Sequence, residues 1–298
     1  MNPLLACSTD LAAAVERAAR VVVAVHARPR LASTGVHWRP GVIVTAHHTV
    51  RAEQDITVTL PGGRTIAAAL AGRDPGTDLA VLRVDAADLP VADKATAALQ
   101  VGHIVLALGH GPRASWGIVS AVGGRWRTWR GGDVDQFVRL DVTLYPGFSG
   151  GPLVDVEGRV LGITTSGLER RLELALPAAT VTRVVDELLD KGRVSRGFLG
   201  VGLQPVRLPE SAVKALDVPA EIGLIVVGLE PEGPAAKAGL LLGDVLVALD
   251  GRVVAGPDDV HAEVGARRAG SVLRLTLLRA GASMDVTVTL GERPDRGR

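Results

Sequence analysis

The stretch DVTLYPGFSGGPLVDVEGRVLGI, from Asp141 to Ile163, decides how the chain is interpreted. Ser149 lies at its centre, between a Gly-Phe dipeptide and a Gly-Gly-Pro turn. A serine among glycines is either part of an ordinary tight turn or a nucleophile held on a strained loop. Because the bulky Phe148 stands directly before it, the same loop must also accommodate an aromatic ring.

Length and composition limit the classes of protein to consider. A chain of 298 residues predicts two domains, and with 47% hydrophobic but only 3% aromatic residues their cores must be largely aliphatic. The net charge of +1 gives no electrostatic footprint for nucleic acid or an anionic membrane. The single Cys7 excludes an intramolecular disulfide and a cysteine-based metal cluster, and we expect neither metal nor cofactor. No apolar run reaches the roughly 18 residues of a transmembrane segment.

The N-terminal segment 1–20 contains LLAC, which resembles the end of a bacterial lipoprotein signal. No basic region precedes it, and its apolar stretch is shorter than the roughly 7–15 residues that a signal requires. We therefore expect a short disordered start followed by an Ala-rich helix from Leu11 to Arg20. A gene start assigned too late would hide a longer leader.

Short apolar runs rich in β-branched residues succeed one another from residue 21, separated by Gly, Pro and Asp turns. This spacing is typical of an all-β barrel or sandwich. After Pro177 the period changes to that of a helix, which Gly192 can end. The sequence thus predicts a β domain over 21–193 that closes with this helix, a short linker, a small α+β domain with two helices over 197–291, and a tail at 292–298.

Three segments together supply the groups that acyl transfer by serine requires: a nucleophile, a base and a carboxylate that orients the base. VTAHHTV places histidines at a strand end, GRDPGTDLAVLRV places aspartates before a buried strand, and PGFSGGPL contains Ser149. The order His, Asp, Ser is that of chymotrypsin-like β-barrels. Each motif alone is weak, but their conjunction in an all-β chain predicts a serine protease.

Two of these segments offer a choice of residue. His48 fits the T-A-x-H pattern of trypsin-like enzymes, whereas His47 occupies a position that is normally small or polar there. Asp74 precedes a Pro-Gly turn, and Asp78 adjoins the apolar LAVL. We therefore select His48 and Asp78, and interpret Asp74 as a turn residue.

These motifs resemble the HtrA/Deg family of trypsin-like serine proteases. TDLAVL, PGFSGGPL and ALP…VVDELL are similar to patterns of that family, and the C-terminal part resembles the PDZ domain that comes after its protease domain. The resemblance extends from about Val21 to Leu290. It implies a mainly β chain, in which a chymotrypsin-like double β-barrel is followed by a small α+β PDZ domain.

The resemblance also implies roles for individual residues. Ser149 would be the nucleophile, His48 the general base and then acid, and Asp78 the residue that orients it. The N–H groups of Gly147 and Ser149 would form the oxyanion hole, where one donor is typically worth about 10²–10³ in rate. The specificity pocket would be lined by residues before the nucleophile and on the strand GITTS: Thr143, Leu144, Thr164, Thr165 and Ser166. Since no acidic residue stands where a trypsin-like pocket holds one, we expect a small or medium aliphatic substrate side chain.

The sequence departs from the family in three places. Phe148 replaces a polar residue and cannot accept the hydrogen bonds that help to fix the loop, so we expect the loop to be held differently. STGVHWRPG, interpreted as the loop between the first strands, is too short for a long regulatory insertion. No aromatic residue precedes Trp38, whereas family trimers lock together through N-terminal aromatics, so a homotrimer is only an analogy here.

FLGVGL resembles the carboxylate-binding loop of PDZ domains, although a simple Gly-containing strand is an alternative. Backbone N–H groups after Phe198 would bind a peptide C-terminus, and the next strand would pair with the peptide. The helix PDDVHAEVGARR would form the other wall. The candidate residues are Phe198, Leu199, Gly200 and Val201 in the loop, and Val260, His261 and Val264 on the helix, facing either groove or core.

The basic, aromatic segment GGRWRTWRGGD is too limited a positive surface for nucleic-acid binding. Two interpretations stay open: a hairpin tip with Trp126 or Trp129 folded onto the barrel, or, from the resemblance, a loop that senses the PDZ domain.

The leading hypothesis is an endopeptidase that cuts unfolded or misfolded protein, recognised partly by exposed C-termini. The resemblance places it in the bacterial cell envelope or periplasm, and the absence of a complete signal leaves the cytoplasm as the alternative. A second hypothesis is a PDZ-containing scaffold or chaperone with an idle protease domain, because Phe148 and His47 would crowd the catalytic loops. An α/β-hydrolase esterase is excluded by residue order and fold.

Overall fold

The computed structural model describes residues 2–86, 89–96, 98–111, 113–169, 172–195, 197–213, 221–265, 267 and 269–292. The chain divides into two compact units, the first ending at Val194 and the second beginning at Ser195. The first unit contains two closed six-stranded barrels, and the second contains one main sheet.

A helix, α1 (Pro3–Ala19), precedes the barrels. The side chain of Asn2 caps it by accepting the N–H of Leu4 at 3.0 Å, and Pro3 occupies the first turn, where its missing N–H costs nothing. Ala14 and Ala18 are buried in the core that joins the two barrels. The expectation of a disordered start before a helix at Leu11 was therefore wrong, because the cap and the proline already begin the helix at Pro3.

The first barrel has the strand order β1-β2-β3-β6-β5-β4, with every neighbouring pair antiparallel. Its interior is filled by branched aliphatic side chains such as Val25, Ile43 and Leu82. The strands are β1 (Val22–His26), β2 (Ser33–Arg39), β3 (Val42–Ala46), β4 (Ile56–Thr59), β5 (Thr65–Asp74) and β6 (Leu79–Val84).

The interpretation of STGVHWRPG as a loop was wrong, because most of it is the buried strand β2. Its apolar residues Val36 and Trp38 are fully buried, but they alternate with polar residues that are buried as well. One of these is His37, whose ring bonds the carbonyl of Pro90 at 2.9 Å and the N–H of Gly41 at 3.0 Å. A strand with buried polar residues on both faces lacks the simple alternation by which strands are identified in sequence.

The second barrel has the order β11-β14-β13-β12-β7-β8, and a separate two-stranded hairpin is inserted after β8. The strands are β7 (Ile104–Gly109), β8 (Arg113–Val122), the hairpin pair β9 (Trp126–Arg127) and β10 (Asp133–Val134), β11 (Val138–Asp141), β12 (Pro152–Val154), β13 (Val160–Thr165) and β14 (Leu174–Pro177).

The predicted helix after Pro177 is confirmed as α2 (Ala178–Lys191). Its buried face, which includes Val181, Val184 and Leu188, packs into the core that joins the two barrels. Gly192 ends the helix with φ +71°, a left-handed conformation that glycine adopts without strain.

In the second unit, the sheet has the order β16-β17-β18-β20-β21, so β16 is an edge strand. The elements are β15 (Gly197–Phe198), β16 (Val201–Arg207), α3 (Glu210–Val213), β17 (Ile222–Leu229), α4 (Pro234–Lys237), β18 (Val245–Leu249), β19 (Arg252–Val253), α5 (Pro257–Gly265), β20 (Val272–Arg279), β21 (Ala282–Thr289) and β22 (Gly291–Glu292). The predicted mixture of strands and helices is found. The described part of this unit has three helices rather than the predicted two, and α3 and α4 are single turns of four residues each.

Candidate active site

His48 and Asp78 form a close pair between two neighbouring strands of the first barrel. His48 lies in a short 3₁₀ turn directly after β3, and Asp78 directly precedes β6. The His48 Nδ1 atom is 2.7 Å from Asp78 Oδ2, and the His48 N–H donates to Asp78 Oδ1 at 2.9 Å. Since a carboxylate only accepts, Nδ1 carries the proton and Nε2 is left as the basic nitrogen.

The end of β13 links this pair to Ser149. The Thr165 hydroxyl donates a short hydrogen bond to Asp78 Oδ2. The next residue, Ser166, has its Oγ 3.1 Å from Ser149 Oγ and its N–H 3.4 Å from the same atom. The last residue of β13 and the residue directly after it thus contact the carboxylate and the serine, respectively.

The backbone of the loop around Ser149 adopts positive φ angles that only glycine accepts without strain. Gly147 and Gly150 have φ values of +93° and +88° on either side of the serine. Thr34 of β2 fixes the loop at two points: its hydroxyl donates to the Gly147 carbonyl at 2.6 Å, and its N–H donates to the Ser149 carbonyl at 3.3 Å. Ser149 is therefore not in an ordinary exposed turn but on a loop bonded to the other barrel.

The carbonyl groups of the loop fix the direction of the neighbouring N–H groups. The Phe148 carbonyl accepts the N–H of the residue three positions ahead at 2.8 Å, and the Pro146 carbonyl accepts a 3.4 Å bond from Arg113. In a trans peptide the N–H points opposite to the carbonyl, so the N–H groups of Ser149 and Gly147 point away from these partners. Within the described residues neither N–H has a protein acceptor, which is the condition that the predicted oxyanion hole requires.

The Phe148 side chain points into the core of the second barrel and is 1% exposed. Its ring packs edge-to-face on Tyr145 at 5.6 Å, and the Arg113 guanidinium lies 5.5 Å from its centroid. Gly109 at the end of β7 makes room for it, since a Cβ there would lie 2.6 Å from two ring carbons. The expected crowding of the catalytic loop by Phe148 was wrong, because the ring is housed by this glycine.

Ser149 and His48 are not joined by a hydrogen bond within the described part of the chain. Catalytic hydrogen bonds are often long in the absence of substrate and shorten when it binds. Gly167 brings the backbone close to the pair, because a Cβ there would lie 2.5 Å from both Asp78 Oδ2 and His48 Nδ1.

His47 and Asp74, the alternatives to His48 and Asp78, lie in different environments. His47 donates its N–H to the Asp78 carbonyl at 2.8 Å, and its Nδ1 is buried without a hydrogen bond in the described structure. Burial lowers the pKa of His47, and Arg73 and Arg130 lower it further against the opposing effect of Asp78. Asp74 is the turn residue that we predicted, since its carboxylate accepts the N–H groups of residues 76 and 77.

The predicted pocket residues fall into two groups. Thr143 and Ser166 are exposed and Leu144 is partly buried against the second-barrel core, as a pocket wall allows. Thr164 and Thr165 are at most 1% exposed, so their side chains cannot line a pocket and that expectation was wrong. Thr164 instead donates to the Phe148 carbonyl at 3.3 Å, and Thr165 holds Asp78. The role of Thr165 was missed because no sequence motif links it to an aspartate 87 positions earlier.

The hairpin β9–β10 packs on the turns beside this site. Trp126 contacts Phe137 edge-to-face at 5.3 Å, and Thr128 donates to the Gly76 carbonyl at 2.7 Å. Trp129 is 69% exposed, yet its indole N–H donates to the Leu168 carbonyl at 2.8 Å. The predicted folding of a tryptophan onto the barrel is confirmed for Trp126, while regulation by this loop stays a prediction.

In the second unit, the loop before β16 directs N–H groups outward. The Leu199 carbonyl accepts the N–H of Ala235, and the Gly200 carbonyl accepts the N–H of Glu230, each at 2.9 Å. The N–H groups of Gly200 and Val201 therefore point to the opposite side, beside the unpaired edge of β16. Gly200 has φ +78°, and such a left-handed turn forms a concave site for an anion.

The other predicted PDZ residues lie in a neighbouring strand pair, in the core of this unit or on its surface. Phe198 lies in β15 and pairs with Gly291 of β22. Val260 and Val264 of α5 are 3% and 5% exposed and belong to the core of this unit, whereas His261 is exposed. Of the two orientations predicted for the valines, the structure places them in the core.

The described residues contain no group of three or more His, Cys, Asp or Glu side chains that could hold a metal ion. Among the same residues, no helix combines the length and apolar character needed to cross a membrane.

Two family models match the chain. Residues 33–163 match the trypsin-like peptidase domain, and residues 197–290 match the PDZ domain. These ranges fall within the first and the second compact unit, respectively.

Similar proteins and structures span nearly the whole chain. "Probable periplasmic serine endoprotease DegP-like" of Brucella suis is 37% identical over 287 residues, which are 92% of this chain and 55% of that protein. The protein of the same name from Halomonas elongata is 37% identical over 278 residues, 90% of this chain and 58% of its own length. The chain thus spans little more than half of these relatives.

Among solved structures, the serine endoprotease from Yersinia pestis has a TM-score of 0.75 at 31% identity, and the match covers 94% of this chain and 97% of that one. The HtrA-type protease AlgW with a tripeptide has a TM-score of 0.72 at 32% identity, with coverage of 95% and 97%.

Proposed function

The chain belongs to the HtrA-type family of trypsin-like serine proteases, and we propose that it is a serine endopeptidase. Its reaction would be the hydrolysis of peptide bonds in unfolded or misfolded proteins. Ser149 would act as the nucleophile, His48 as the general base and then acid, and Asp78 as the carboxylate that orients His48.

One observation carries this assignment: the last residue of β13 and the residue directly after it bond both ends of the proposed triad. Thr165 donates to Asp78, and Ser166 contacts the Ser149 hydroxyl. An ordinary glycine turn would have no need for a serine whose contacts lead to a partly exposed histidine paired with a fully buried aspartate.

Each step of the proposed peptide-bond hydrolysis can be assigned to an atom of the site. Ser149 Oγ attacks the scissile carbonyl while His48 Nε2 takes its proton, and the same nitrogen later returns the proton to the leaving amine. Asp78 is fully buried, so its charge is only weakly screened and stabilises the imidazolium formed in between. The N–H groups of Gly147 and Ser149 would bind the oxyanion, the contribution that is usually largest in such sites.

The idle-scaffold hypothesis loses much of its support. Phe148 was its main argument, and the ring is buried away from the Ser149 hydroxyl in a space that Gly109 leaves free. His47 is desolvated but bonds the Asp78 backbone, which helps to hold the carboxylate turn in position.

We further propose that the second unit binds peptide C-termini at the N–H groups of Gly200 and Val201, with the peptide pairing along β16. A peptide carboxylate would satisfy two donors, and β16 is the edge strand that β-augmentation requires. The periplasmic relatives support a function in the bacterial cell envelope.

The test is degradation of an unfolded model protein by the purified chain, with and without a peptide that ends in a free hydrophobic carboxylate. Ser149→Ala should abolish cleavage. Ser120→Ala is the matched control, because this buried hydroxyl of the second barrel has no partner in the described structure. The amidated peptide should bind the second unit more weakly than the free acid. Cleavage that persists in Ser149→Ala would refute the nucleophile, and equal binding of acid and amide would refute the carboxylate site.

A further inference from the structure

Glu173 is an acidic residue in the second barrel that the proposed catalytic chemistry does not use. It directly precedes β14 and is partly buried, and its Oε2 atom has no accessible surface and no hydrogen-bond partner in the described part of the chain. Burial raises the pKa of this carboxyl above its usual value. A buried carboxylate oxygen without a partner is unfavourable unless something outside the described structure pairs with it.

The alternation along this segment shows which way the side chain faces. Leu172, Leu174 and Leu176 all pack into the core that joins the barrels and α2. Ala175, between them, belongs instead to the core of the second barrel. Because successive side chains of an extended strand point to opposite faces, Glu173 faces the interior of the second barrel, on the same side as Ala175.

Strand register brings Glu173 close to the proposed nucleophile. The antiparallel β13–β14 ladder ends with Thr165 opposite Leu174. Its register, continued by one residue, puts Ser166 opposite Glu173. Ser166 is the residue whose hydroxyl lies 3.1 Å from Ser149 Oγ.

On the side away from Ser166, Glu173 neighbours β11, which leads to the chain segment before Ser149. The Leu140 N–H donates to the Glu173 carbonyl at 2.9 Å, and the chain continues from Leu140 to Thr143 and Leu144. Leu144 packs against the same core cluster as Ala175. The carboxyl thus lies at the interior end of the second barrel, between the segment before the nucleophile and the strand that comes after it.

We propose that Glu173 is a specificity-determining residue that lies in the pocket for the substrate side chain preceding the scissile bond, and that it favours lysine or arginine there. This rests on the proposed endopeptidase function. A cationic side chain would supply the partner that the carboxyl lacks, and charge-assisted hydrogen bonds are the strong ones. The sequence predicted an aliphatic preference because neither the segment 143–148 before Ser149 nor the strand GITTS contains an acidic residue, whereas this carboxyl comes from the residue directly before β14.

The test compares two peptide substrates that differ only at this position, lysine in one and norleucine in the other. Norleucine has the same carbon chain without the amine. The wild-type chain should cleave the lysine peptide with the higher kcat/KM. Glu173→Gln should lower kcat/KM for lysine at least about tenfold and leave norleucine within about threefold, since a site that pairs a polar group discriminates strongly against loss of that pair.

Glu157→Gln is the matched control, because it makes the same chemical change in the exposed turn between β12 and β13 of the same barrel. It should leave the ratio of the two substrates unchanged. An unchanged ratio in Glu173→Gln, with norleucine still cleaved and cleavage still dependent on Ser149, would refute the role of Glu173 alone. Absence of any Ser149-dependent cleavage in the wild-type chain would instead refute the proposed function, and this inference with it.

Discussion

Gly109→Ala should destabilise the first unit and reduce catalysis through the Phe148 ring. The added Cβ would lie 2.6 Å from Cδ1 and Cε1 of Phe148, closer than non-bonded carbons approach. Overpacking of this kind costs about 1–3 kcal/mol. Replacement of a glycine by alanine also restricts the unfolded chain, which offsets about 0.4–1 kcal/mol. We therefore expect a net loss of about 1–2 kcal/mol, or a melting temperature lower by about 2–8 °C.

The effect on activity depends on the position of the ring. Phe148 immediately precedes Ser149, so a ring displaced from its place beside Gly109 moves the backbone that carries the nucleophile and the oxyanion N–H groups. A displacement of about 1 Å can cost about 100-fold in rate, and we expect kcat to fall by roughly 10- to 100-fold with little change in KM. The assays are thermal unfolding by circular dichroism and steady-state cleavage of a peptide substrate.

Gly124→Ala is the control, because a Cβ at that glycine would have no atom within 4 Å. A double-mutant cycle with Phe148→Leu adds a second check, since the smaller side chain should relieve the clash and give a coupling energy of about 1 kcal/mol or more. If Gly109→Ala matched Gly124→Ala in both stability and kcat, the idea that the ring's packing holds the catalytic loop would be refuted.

Three further substitutions test other contacts. Thr165→Val removes the hydroxyl that donates to Asp78, and loss of a hydrogen bond to a buried charge, about 1.5–3 kcal/mol, should lower kcat/KM at least roughly tenfold in a steady-state assay. Gly167→Ala would place a Cβ 2.5 Å from an Asp78 oxygen, so kcat should fall while the melting temperature of the second unit stays unchanged. Asp244→Asn breaks the paired bonds to Arg279 at 2.8 and 2.7 Å, and should destabilise the second unit by about 2 kcal/mol at pH 7 in urea unfolding. The hydrogen bond from Arg279 lowers the pKa of Asp244, so this contribution is complete above the pKa of the unfolded state and is lost as the pH falls through the lower folded value. The difference between wild type and Asp244→Asn should therefore shrink in acid, and a difference that stayed constant down to about pH 2 would contradict the assignment.

Local sequence signals were sufficient to predict the elements and residues whose conformation is determined by their neighbours in the chain. The change from short β-branched runs to helical spacing after Pro177 predicted α2, and Gly192 marked its end. His48 and Asp78 were selected by the residues adjacent to them in the chain, and the structure pairs them at 2.7 Å. In each case the deciding interaction is made by residues whose immediate neighbours reveal their conformation.

Contacts between distant segments could not be predicted in the same way. Thr165 looked like a pocket residue because it lies on GITTS, but the register of β13 turns its hydroxyl to Asp78. Strand β2 was taken for a loop because its polar residues are buried by partners far along the chain, such as Pro90 for His37. The orientation of Glu173 likewise depends on which barrel core its neighbours join, and a single sequence does not contain that information.

The departure at Phe148 is best explained by what fixes the direction of the oxyanion N–H groups. The carbonyls that matter are those of Pro146 and Phe148, because their peptide units carry the N–H groups of Gly147 and Ser149. The Pro146 carbonyl accepts from Arg113, and the Phe148 carbonyl accepts from Thr164 and from the N–H of residue 151. None of these donors is the side chain at position 148. The side chain at 148 therefore has to anchor the loop but does not have to aim the N–H groups. A buried aromatic ring can serve as that anchor as well as a hydrogen-bonded polar group, provided that a residue without a side chain faces it, and Gly109 meets this condition. The polar family residue and the phenylalanine are thus two ways to hold one backbone, and the phenylalanine is compatible with catalysis only together with its glycine.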